Sequence, residues 1–136
     1  MSPSVFNFYR PGYEAAGTET ADAGLVAPEL QITTSASVSV YINYMERVID
    51  KGTFGDGFFV PDYTTELPMA EDPAVLIDYL DSLLTYGTLS EATKARIEEA
   101  MLTIKVDDKN TESDRRKRVR VALLMIVTSP EYITQR

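Results

Sequence analysis

Residues 113–128 read SDRRKRVRVALLMIVT. The second half, Val121 to Val127, is apolar at every position. It is far short of the ~20 apolar residues that cross a bilayer. It has no polar–apolar alternation, and such alternation is not strong anywhere else in the chain. A helix that is apolar all round is buried on most sides. The stretch therefore predicts a central core helix over Ser113–Thr128. Around it we expect an all-α fold: a compact bundle of about four main helices, with an irregular aromatic N-terminal arm and one long loop.

The other helices follow from period and punctuation. Val38, Tyr41, Ile42, Met45, Val48 and Ile49 recur at three- and four-residue steps, which predicts a helix from Ser35 to Lys51 stopped by Gly52. Asp72-Pro73 combines an N-cap with a proline suited to the first helical position. The helix it opens carries the stripe Leu76, Ile77, Leu80, Leu83, Leu84 and ends at Gly87. Ser90 caps a third helix with Glu91 in its first turn and a weaker stripe of Ala92, Ile97, Met101 and Ile104. The short connection makes the second and third helices antiparallel neighbours. Ser129-Pro130 opens a last short helix over Glu131–Gln135.

The N-terminal stretch SPSVFNFYRPGY, residues 2–13, concentrates four aromatics. Ser2-Pro3 starts a short helix to Tyr9, and Pro11-Gly12 fits the centre of a type II turn. Residues 14–24 read as an irregular loop, and residues 25–32 as a mixed, extended stretch. Residues 52–71 read as a long loop packed by aromatics. Two readings of the aromatics stand open. Phe6, Phe8, Tyr9, Tyr13, Phe58, Phe59 and Tyr63 form an interaction surface, or they pack within the fold. We treat 1–136 as a single helical domain, with residues 1–32 as arm and loop and 33–136 as the bundle.

The chain of 136 residues has no His, no Cys and no Trp. That removes thiol nucleophiles, imidazole bases, Ser–His–Asp triads and Cys/His zinc sites. Neither a cofactor nor a metal is expected. A net charge of −8 argues against a nucleic-acid partner. The charge is uneven: residues 51–112 hold thirteen acids and five bases, whereas residues 113–136 hold two acids and six bases. The basic tail and the acidic middle are expected to meet inside one fold.

Four short motifs bear on chemistry. Arg115 and Arg116, in the basic run DRRKRVR, form either an anion site or intramolecular salt bridges, with Asp78, Asp81, Glu98 and Glu99 as the expected acceptors. The acidic stretch DDKNTESD, residues 107–114, fails the EF-hand pattern, with Ser113 where Gly is required and Val119 where Glu is required. GDG at 55–57 lacks the phosphate-loop pattern and reads as a tight turn. Asp78 and Asp81 share a helix face opposite the apolar stripe, so they are expected to face water.

SVFNFYRPGY, GLVAPELQI at Gly24–Ile32, LLTYGTLSEATKARI at Leu83–Ile97 and TSPEYITQR from Thr128 together resemble the C-terminal part of a bacterial domain-of-unknown-function family, the one numbered 1800. The resemblance implies an all-α fold, an exported (periplasmic or extracellular) origin and a parent protein several hundred residues long. It transfers no catalytic or binding residue. The expected role is a non-catalytic helical interaction module, packing on the remainder of that parent, on a protein partner or on a second copy. The alternative is an extracellular glycan- or polymer-binding module that uses the exposed aromatics.

Overall fold

The computed structural model describes residues 12–14, 16–17, 19–22, 24, 26, 35–52, 59–107 and 111–133. Its helices in chain order are α1 (Glu19–Asp22), α2 (Ser35–Lys51), α3 (Pro73–Leu84), α4 (Glu91–Leu102), α5 (Thr111–Val127) and α6 (Pro130–Ile133), with a 3-10 turn at Met69–Glu71 before α3. The described residues are all-α, without strands. No helix among them is long and apolar enough to cross a membrane.

Two compact units divide the chain, Met1–Tyr41 and Ile42–Arg136, with the boundary inside α2. In the first, the stretch expected to be an irregular loop contains the one-turn helix α1. Gly24 closes it by donating to the Ala21 carbonyl at 2.9 Å. The proposed short helix over Ser2–Tyr9 lies outside the described residues.

The second unit holds the core. Leu76 and Leu80 of α3, Ile97 and Met101 of α4, and Val119 and Ile126 of α5 are essentially fully buried. Burying such a side chain contributes about 1.5–3 kcal/mol each. Helix starts follow their caps. Asp72 accepts from the backbone N–H groups of Ala74 and Val75, and Ser90 accepts from Thr93. α2 ends where expected, at Gly52, whose φ is +86°. A Cβ there would collide with the Phe59 carbonyl, so the position requires glycine for space as well as for conformation.

Three expectations are corrected. Leu83, placed on the α3 stripe, is 58% exposed. Leu84 beside it packs against the core, and Leu83 turns outward. α5 begins at Thr111 and ends at Val127. Its apolar centre is not enclosed on every side: Ala122, Ile126 and Val127 are buried, whereas Val121, Leu123, Leu124 and Met125 are only half-buried.

Candidate interaction surface

Of the aromatics singled out above, Phe6, Phe8, Tyr9 and Phe58 lie outside the described residues. Tyr13, in the first unit, is half-buried. In the second unit the 52–71 loop separates its aromatics. Phe59 is 51% exposed, whereas Tyr63 is only 8% exposed. The Tyr63 hydroxyl donates to the Ile49 carbonyl at 2.6 Å, which ties the loop to the end of α2. Burial pushes its phenol pKa up. Tyr63 is therefore a core residue, not part of an exposed contact set.

Asp81 overturns a second expectation. It was expected to face water and is 2% exposed. One carboxylate oxygen accepts from the Thr85 hydroxyl at 2.5 Å and from the Leu89 backbone N–H at 3.1 Å. The other receives the Lys94 ammonium at 2.9 Å. Burial works against the charge, but these donors outweigh it and hold the carboxyl below its ordinary pKa. Lys94 also reaches Asp78 at 2.8 Å, and the two carboxylates push its pKa up. A carboxylate so engaged fastens the α3–α4 joint rather than serving as an acid or base.

That fastening shapes the turn after α3. Thr85 and Gly87 both donate to the Asp81 carbonyl, at 2.9 and 3.2 Å, and the Thr88 hydroxyl donates to the Thr85 carbonyl at 2.7 Å. Between them Tyr86 is held at φ +56°, followed by Gly87 at +75°. A bulky residue in the left-handed region is unusual and strained. The Tyr86 ring is 91% exposed, so it gains nothing from the interior. Leu83 lies just before it, and Val75, 51% exposed, lies two turns back on the outer side of α3. Sequence reasoning missed this patch. The available signal was the position of Gly87: with the helix ending at Leu84, the turn has room for a second left-handed residue.

The arginines are paired, though not with the acids expected. Arg115 forms an ion pair with Glu71 beside the 3-10 turn, and Arg116 reaches Glu112 at 3.4 Å. Asp78 and Asp81 are taken by Lys94 instead. Arg118 donates to the Ile104 and Ala70 carbonyls, both at 3.0 Å, placing its charge beside the end of α4. Arg120 pairs with Asp50 of α2. Asp114 is held by Lys117 at 2.8 Å and by the Asp107 N–H, which lower its pKa. GDG at 55–57 lies outside the described residues, as do residues 108–110 of the acidic stretch. Among the described residues no group of three or more acids is placed to hold a metal ion.

Glu131 of α6 makes a further joint. One carboxylate oxygen accepts from the Ser90 hydroxyl at 2.9 Å, the Ser90 N–H at 3.3 Å and the Thr93 hydroxyl at 2.8 Å. It thus sits on the N-terminal turn of α4, where negative charge is favoured. Burial opposes its ionisation, but the donors prevail and lower its pKa.

No family model matches the chain. No curated protein and no solved structure matches it either.

Proposed function

We propose that the chain is a non-catalytic helical interaction module that docks a protein partner through Val75 and Leu83 of α3 and Tyr86 of the turn that follows it. The observation that carries this reading is the Tyr86 turn. A strained backbone and a ring left in solvent are two local costs with no internal return, and such costs cluster at functional positions. Four hydrogen bonds hold the strain in place, so the ring is presented on a rigid base. The lack of His and Cys in the whole chain removes thiol nucleophiles and imidazole bases. The resemblance to the family numbered 1800 adds the reading that the partner is the remainder of a longer bacterial protein.

A photo-crosslinking phenylalanine at position 86 tests this in cells expressing the full chain. We expect one discrete protein adduct, lost when Leu83→Ser is added. A label that yields no adduct, or an adduct indifferent to Leu83, overturns the reading. The glycan-binding alternative draws on exposed Phe59. It predicts glycan-array signals that Phe59→Ala abolishes.

A further inference from the structure

Between the C-terminal half of α2 and the middle of α5 runs an open groove of about 340 Å3. Its floor is apolar: Ile49 from α2, Val121 and Leu124 from α5. Its rims have opposite signs. Glu46 and Asp50 line the α2 side, and Lys117 and Arg120 line the α5 side; Asp50 and Arg120 pair with each other across the groove, so Glu46 and Lys117 carry the rim charge open to a second copy. This groove is where the all-apolar centre of α5 stays uncovered, since Val121 and Leu124 are only half-buried. One and two turns back along the α2 stripe, Met45 is half-buried and Ile42 is 38% exposed.

We infer that this groove is the contact face of a homodimer, in which two copies related by a two-fold axis lay α2 of each across α5 of the other. An isologous contact needs a patch complementary to itself. Here the two-fold brings Glu46 of one copy onto Lys117 of its partner, twice, over a shared apolar floor. A partner of single charge would be repelled by one rim. The patch is also neutral within a chain of net charge −8, and a highly charged chain repels its own copies except where local charge is balanced. Glu46 is exposed, and Lys117 is 57% exposed even while it holds Asp114, so both are accessible to a second copy. The proposal rests on the interaction-module reading but uses another surface, since no α3 residue lines the groove.

Sedimentation equilibrium of the full chain, up to ~1 mM, tests it. We expect a reversible monomer–dimer equilibrium. Glu46→Lys should weaken it at least about tenfold, a loss of ~1.4 kcal/mol, without changing the far-UV circular dichroism spectrum. Lys117→Glu should weaken it similarly. Mixing the two single variants should restore dimers, because each then offers the charge that the other lacks. Should Lys117→Glu disturb Asp114 and the fold, Glu46→Lys alone still decides. A chain that stays monomeric throughout, or a dimer indifferent to Glu46→Lys, overturns the proposal. Crosslinking at position 86 that persists in Glu46→Lys would leave the interaction-module reading standing on its own.

Discussion

Replacing Asp81 by Asn would keep an acceptor near Thr85 and Leu89 but would remove the charge facing Lys94. Breaking a buried, hydrogen-bonded charge costs roughly 3–5 kcal/mol. Lys94 keeps Asp78, so we expect about 2–3 kcal/mol, read as a lower urea midpoint at unchanged slope. A loss below about 1 kcal/mol would mean that the joint does not depend on this carboxylate. Tyr86→Gly should act in the opposite direction. It removes an exposed ring and a left-handed strain of ~1 kcal/mol, so stability should be unchanged or slightly raised. A marked loss of stability would show that the ring packs on something. Gly52→Ala meets both a positive φ and the Phe59 carbonyl, and should destabilise by more than about 1 kcal/mol.

At the scale of elements, the joints between helices are fastened by carboxylates. Asp81 links α3 to α4, Glu131 links α6 to α4, and Asp114 links α5 to the segment before it. All three have lowered pKa values in the folded chain. Their contribution is therefore complete above the ordinary carboxylate pKa of about 4 and is lost as pH falls through the lowered values. Stability should be level down to about pH 5 and fall steeply below about pH 4. Asp81→Asn should flatten that fall. An acid limb of the same slope in the variant would remove Asp81 from the account. Lys94, raised, has the opposite sign: its contribution is lost at alkaline pH, above about 10. The elements themselves were legible. Asp72-Pro73, Ser90 and Gly52 marked their helix ends because capping acts over one to four residues. Asp81 was not legible as buried. It falls at i+4 from Ile77 and i−3 from Leu84, on the edge of the stripe, and its partners Leu89 and Lys94 lie beyond the helix that carries it. The pairing of Arg115 with Glu71 was hidden in the same way, because sequence distance says nothing about which acid packs beside α5.

For the whole molecule, the fold is decided by a small set of side chains in the Ile42–Arg136 unit. Leu80→Ala and Ile126→Ala, both fully buried, should each cost about 2–5 kcal/mol, whereas Val60→Ala, at 73% exposure, should cost almost nothing. Equal effects from core and surface would contradict the packing described here. The all-α class was readable from the three- and four-residue stripes of α2 and α3 and their caps; the run Val121–Val127 alone would suit a buried strand equally well. Whether that run would be enclosed on every side was not readable, because closure depends on how far α2 reaches across α5. The surface at Tyr86 escaped notice for a related reason: apolar residues on an outer face look, in sequence, like a wider stripe.

The carboxylate of Asp81 spans the whole α3–α4 connection, gripping Thr85 at its beginning and Leu89 at its end. The length of that connection is therefore fixed by a side chain and not by the chain's own slack. Adding one residue between Thr85 and Leu89 would carry the Leu89 N–H away from its acceptor and pull the buried Leu89 side chain with it. Surface connections usually tolerate insertions cheaply. This one should not, and descendants of the sequence that change length should do so elsewhere.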